Sequence, residues 1–173
     1  MAIECIPDIE NDNTFSLHTS NWFFNGGDSV YTSYETKEEL LIDLKWLDTL
    51  PLYIATGIVD EFDLELLVSH TWCSGKDLTK ADMFPYAFVW DREQPSTRKN
   101  TSKYYNIYGH TPVDYINQHK YHKPNTLEVT PEPEWFDGAA AIDTGCAYNI
   151  RGRGVLTGVF FPSLQIKQVK LKD

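Results

Sequence analysis

Three short apolar runs each stop abruptly at a residue able to do chemistry. No other feature constrains this chain as tightly. Residues 65–69 run into His70, residues 106–108 stop at Gly109 and His110, and residues 139–142 stop at Asp143, Thr144 and Gly145. Short aliphatic or β-branched runs bounded by Gly and Asp read as strands. A polar residue at the C-terminal end of a strand leaves a rigid edge and enters the loop region where the ligand sites of α/β sheets gather. The pattern predicts a mixed sheet with His70, His110 and Asp143 at its strand ends.

The other elements follow from local signals. Residues 52–56 form a short run that pairs with 65–69 as a hairpin. Residues 155–161 read as a buried strand, and 165–171, alternating with Lys, as an exposed edge strand. Strands around Leu67, Ile107, Ile142 and Val159 are expected in one mixed sheet. Thr36-x-x-Glu39 is a capping box. Leu40, Leu41, Leu44 and Leu47 follow it at helical spacing, so 37–47 is a helix, and Pro51 ends the element. Residues 15–24 form another helix, with Asn25-Gly26-Gly27 as its left-handed stop. Residues 1–6 have helical composition, which Pro7 interrupts. Residues 120–135, with Pro124, Pro131 and Pro133, read as a long irregular loop.

Length and composition bound the class. A chain of 173 residues, 42% hydrophobic and 14% aromatic, suffices for a single domain over 1–173 with a packed core. Its 25 acidic and 15 basic residues give a net charge of −10. That charge repels nucleic acid and anionic membranes, so neither is expected as a partner. It also repels a phosphorylated substrate unless metal ions or a local Arg supply positive potential. Cys5, Cys73 and Cys146 are far apart and include no CxxC pair. Reduced thiols in a cytoplasmic protein fit this better than a zinc ribbon. No apolar run approaches the length of a membrane span.

His70 and His110 are the candidate metal ligands, since neutral imidazole suits Zn, Fe and Mn. Gly109 is expected to let the backbone turn sharply before His110, and Pro112 to stiffen the exit. Asp143 can orient a histidine, or it can simply end a strand in an Asx-type turn. Arg92, among Trp90, Asp91 and Glu93, can fork onto a phosphate, or it can pair on the surface with Asp91 or Glu93. His119 and His122 stand beside Lys120 and Lys123, whose charge opposes a cation. They are taken as solvent-exposed, as is His18. Arg151-Gly152-Arg153-Gly154 resembles a hairpin turn more than a phosphate loop.

In order along the chain, Asn25-Gly26-Gly27, Thr32-x-Tyr34, Leu47-x-x-Leu50-Pro51-Leu52 and Leu67-Val68-Ser69-His70 come first. Trp90-Asp91-Arg92-Glu93, Tyr108-Gly109-His110-Thr111-Pro112, Ala141-Ile142-Asp143-Thr144-Gly145-Cys146 and Leu156-Thr157-Gly158-Val159 follow. Over about residues 22–159 this order resembles the second half of the calcineurin-like metallophosphoesterases, a family that includes bacterial and phage Ser/Thr protein phosphatases and symmetrical bis(nucleosyl)-tetraphosphatases. The resemblance implies an α/β fold: the C-terminal part of a two-sheet sandwich flanked by helices. It implies metal-dependent hydrolysis of a phosphorylated protein or nucleotide. His70 and His110 would be ligands of one metal ion, Arg92 would bind phosphate, and Asp143 would support the site. The complete family site holds two divalent ions, Mn, Zn or Fe. Asp91 stands where the resemblance leads one to expect Asn.

The family's D-x-H, G-D-x-x-D-R and G-N-H-E motifs do not occur in this sequence. Met1-Ala2-Ile3-Glu4 is similar to the segment that follows G-N-H-E in the family. The expectation is therefore a truncated phosphoesterase domain, inactive alone and binding at most one ion weakly, whose missing motifs are encoded elsewhere, through a mis-called start, an interrupted gene, or a split gene that makes a separately encoded N-terminal half a partner. Two alternatives stand beside it. One is a non-catalytic remnant or interaction module. The other is a small metallohydrolase using His70 and His110 with local carboxylates, ranked last because no acid follows either His at a useful spacing.

Overall fold

The computed structural model describes residues 1–95, 101–119, 131–147 and 154–170. The chain divides into two compact units, Met1–Pro51 and Leu52–Asp173.

The first unit is helical. A 3₁₀ turn at Ile3–Cys5 leads into α1 (Ile6–Glu10), and α2 (Leu17–Trp22), α3 (Asp28–Ser33) and α4 (Lys37–Asp48) follow. Pro7 does not interrupt a helix. It sits in the first turn of α1, where its missing N–H is no loss. Thr36 caps α4, its side chain accepting from the Glu39 backbone N–H at 3.3 Å. Leu40 and Leu44 are buried with Cys5, Ile9 and Trp22, whereas Leu47 is exposed. Lys37 and Lys45 pair with Asp12 (2.7 Å) and Glu10 (2.6 Å), which ties α4 to α1 and the turn after it.

The Asn25-Gly26-Gly27 stop has a physical reason at each position. Gly26 takes φ +91, the left-handed conformation that turns the chain between α2 and α3. A Cβ on Gly27 would lie 2.3 Å from the Trp22 indole nitrogen, so the ring packs where a side chain would be. Asn25 donates from its amide to the Asn21 carbonyl at 2.8 Å.

The second unit is built on a five-stranded mixed sheet in the order β1-β2-β3-β5-β4. The strands are β1 (Tyr53–Val59), β2 (Glu65–Ser69), β3 (Tyr104–Tyr108), β4 (Glu134–Phe136) and β5 (Ala139–Ala141). The pairs β1–β2 and β4–β5 are antiparallel, while β2–β3 and β3–β5 are parallel. A separate antiparallel pair joins β6 (Val155–Phe160) to β7 (Gln165–Lys170). Val159 therefore does not share a sheet with Leu67 and Ile107, contrary to the sequence expectation. Its strand packs on the main sheet and is tied to the loop after β5, where Gly145 bridges Val155 and the Thr144 hydroxyl donates to the Val155 carbonyl at 2.6 Å.

Strand alternation sorts the two faces. Tyr105, Ile107 and Ala140 point to one side, where they pack with Val159, Phe161 and Leu164 of the β6–β7 hairpin. Tyr108, Ala139 and Ala141 point to the other, against Val113 and Ile116 of α6 (Val113–His119). Leu67 on the same face packs with Phe88 of α5 (Tyr86–Val89) and with Cys73. The unit is layered, with helices on one face of the sheet and a β-hairpin on the other. Ala139 and Ala141 of β5, at 1% exposure or less, let α6 approach closely, and Ala140 does the same for the hairpin on the other face. Truncating Leu67 to Ala would cost about 2–5 kcal/mol.

Candidate metal centre

The parallel strands end level with one another. Ser69 of β2 is registered with Tyr108 of β3, and Tyr108 with Ala141 of β5. The residues that follow, His70, Gly109-His110 and Ile142-Asp143, thus emerge side by side. The Gly109 N–H donates to the His70 carbonyl (3.1 Å), the Ile142 N–H to the Tyr108 carbonyl (2.8 Å), and the Val113 N–H to the Asp143 carbonyl (2.9 Å). These bonds carry the sheet's spacing one step beyond the strands.

At that edge His70 Nε2 lies 3.1 Å from His110 Nδ1, with ring centroids 4.7 Å apart. Without an ion, one ring N–H can donate to the other ring's lone pair. Two nitrogens about 2.1 Å from a shared ion and separated in this way would subtend about 95° at it, an ordinary angle between neighbouring ligands. His110 Nε2 is buried and has no hydrogen-bond partner of normal geometry among the described residues. Both imidazoles are biased toward the neutral form, the form that binds metal. Burial pushes His70 below its ordinary value, with Asp143 opposing. Burial also pushes His110 down, helped by His70 and Arg92, with the Trp90 carbonyl and Asp143 opposing. Two nitrogen donors therefore fit one face of one divalent ion. No group of three or more His, Cys, Asp or Glu able to hold a metal occurs among the described residues.

The turn at the site is not where the sequence put it. His110 itself, rather than Gly109, has positive φ, at +66. The Thr111 N–H donates to the Gly109 carbonyl across it at 2.8 Å. That combination is a γ-turn centred on a histidine, a strained arrangement of the kind that clusters at functional sites.

Asp143 closes an Asx-type turn, accepting from the Gly145 N–H at 3.0 Å. Among the described residues no hydrogen bond joins it to either imidazole, so it reaches them through its field. Arg92 does not pair with Asp91 or Glu93. Asp91 instead binds Lys76 at 2.9 Å. Burial would raise the Asp91 carboxyl, but Lys76 and the Glu93 N–H outweigh it and hold the group below its ordinary range. Arg92 lies over the Tyr115 ring at 5.6 Å. The Trp90 ring meets His110 edge-on at 6.0 Å. The structure thus gathers His70, His110, Asp143 and Arg92 at one sheet edge. The His119 side chain, His122 and Arg151-Gly152-Arg153 lie outside the described residues.

One residue next to this site was not singled out in the sequence. Asn106, in the middle of β3, is 0% exposed. Its Oδ1 accepts from the backbone N–H groups of Cys73 (2.8 Å) and Ser74 (3.1 Å). Its Nδ2 faces the Leu67 carbonyl (3.1 Å), Ser69 Oγ (2.9 Å) and the Ile107 carbonyl (3.4 Å). An Asn inside a strand prediction, a residue type depleted from strands, is the one hint the sequence offers.

Compared with protein-family models, curated proteins and solved structures, the chain matches none. Among the described residues no helix is long and apolar enough to cross a membrane.

Proposed function

We propose that this chain carries part of a divalent-metal site for phosphoester hydrolysis, of the calcineurin-like metallophosphoesterase kind. The observation that supports this is the 3.1 Å approach of His70 Nε2 to His110 Nδ1 at the ends of adjacent strands. A Mn, Zn or Fe ion bound there would give a chain of net charge −10 the positive potential a phosphate requires, and would acidify a water. The protein's own residues do the rest. His70 and His110 present neutral nitrogens, and the negative field of Asp143 favours a cation beside them. Arg92, half spread over Tyr115, is free of Asp91 and within reach of a phosphoryl oxygen. The layering of the second unit suits part of a helix-flanked two-sheet sandwich. The substrate is a phosphorylated protein or a nucleotide.

The remaining ligands come from a partner segment bearing D-x-H, G-D-x-x-D-R and G-N-H-E. A groove of about 330 Å³ is lined by Val68, Ser69, Ile107, Gly109, Ile142 and Asp143 among others, and so includes Ser69 and Gly109, the residues that precede the two histidines. Val68 and Leu156 are exposed there.

The test is hydrolysis of p-nitrophenyl phosphate. The chain alone should show no turnover above background with added Mn. Co-expression with the segment should restore turnover, His110→Ala should then abolish it, and His122→Ala should leave it nearly unchanged. Robust turnover by the chain alone that EDTA removes would overturn the incomplete-site argument. A second reading, a non-catalytic interaction module, is favoured by the exposed side chains of Phe15, Leu17 and Phe24 in the first unit. Failure of every complemented chain to turn over would select it.

A further inference from the structure

We infer that Asn106 is the positioning residue that sets His70 against His110. The inference builds on the proposed metal site, but its geometry stands independently of any ion. His70 lies in a span whose two ends are tied to one amide: Leu67 and Ser69 before it, Cys73 and Ser74 after it. Ser69 extends the hold, its hydroxyl donating to the Thr71 carbonyl at 2.7 Å. Among the described residues, the neighbouring strand end meets His70 itself through the Gly109 N–H, which donates to its carbonyl, and through the ring contact with His110.

The surroundings require an amide specifically. Two backbone N–H groups point at one end of the side chain, and a carbonyl and a hydroxyl stand at the other. Only a side chain with an acceptor and a donor on one carbon answers both. An Asp would set a carboxylate oxygen against the Leu67 carbonyl. A Leu would leave the Cys73 and Ser74 N–H groups buried without partners. Because β3 also carries His110, Asn106 references the His70 loop to the same strand that holds the second imidazole. Partners that orient metal-binding histidines affect affinity about 10- to 100-fold when altered.

The experiment compares the full chain with Asn106→Asp, Asn106→Leu and Ser69→Ala. In the metal-free proteins, nuclear Overhauser contacts between the His70 and His110 rings report their approach. Thermal melting reports folding, and Zn titration reports affinity. The expected result is loss of the ring contact in the folded Asn106 variants, with Zn affinity lower by about 10- to 100-fold. Ser69→Ala, which keeps the amide, should weaken both readouts less, and it serves as the test if the Asn106 variants do not fold. A merely structural Asn106 would lower Tm while the folded protein kept its ring contact and its Zn affinity, and that outcome overturns the inference. If the wild-type chain shows the ring contact but binds no Zn, the metal reading falls, while loss of the contact in Asn106→Asp still supports the positioning role.

Discussion

His110 combines two unfavourable circumstances, a backbone φ of +66 and a buried ring nitrogen with no hydrogen-bond partner of normal geometry among the described residues. Glycine is at ease at that φ and alanine is not. His110→Gly should therefore be more stable than His110→Ala by about 1 kcal/mol in urea unfolding, although both lose the site. Equal stability would show that the turn holds no strain. The imidazoles also set a pH dependence. Both His70 and His110 are held below 6.5 in the folded chain. As pH falls through that value the unfolded chain takes up protons first, so stability present above about 6.5 is lost below it. The urea midpoint should drop between pH 7.5 and pH 5.5, and drop less in a His70→Asn, His110→Asn double variant. A wild-type midpoint that rises on acidification would contradict the sign.

At the scale of elements, the turn between α2 and α3 offers a sharp comparison. Gly27→Ala drives a methyl into the Trp22 indole and should cost about 1–3 kcal/mol. Gly26→Ala meets open space and should be destabilised by its φ alone, about 1–2 kcal/mol. Both are read from thermal unfolding of the full chain, and a Gly27→Ala melt equal to wild type would contradict the packing argument. This turn was legible because Asn-Gly-Gly has one backbone meaning, and α4 because its capping box and leucine spacing agree. β2, β3 and β5 were legible as apolar runs with abrupt ends. The helix α6 was not, although Pro112 begins it and Val113 and Ile116 lie three residues apart on its buried side. One turn of spacing is too little signal until β3 and β5 supply a surface to pack on. The short strand β4, which takes up Glu134 and Trp135 from the expected loop, likewise exists through its pairing with β5. The site was legible as strand-end residues. The 3.1 Å approach of the two rings was not, because it depends on the register between strands distant in sequence. Asn106 was missed because its five contacts are to backbone and a hydroxyl that only the folded sheet brings together.

At the scale of the whole molecule, the proposed site offers two imidazoles, which would serve one face of one ion and leave the rest of its coordination to water. Calorimetric titration of the chain with Mn or Zn should show a single weak site, and two tight sites would contradict the proposal. The level ends of β2, β3 and β5 also have a genetic consequence. Strand parity is two, so one codon inserted within 104–108 has two outcomes. It either carries His110 about 3.3 Å along the strand, away from His70, or turns the faces over and gives Asn106's place to a neighbour. One codon inserted at 60–63 only lengthens the hairpin turn. A one-codon insertion library should sort sharply between these places, since the three strands act as a vernier in which a single added graduation takes the two rings out of alignment.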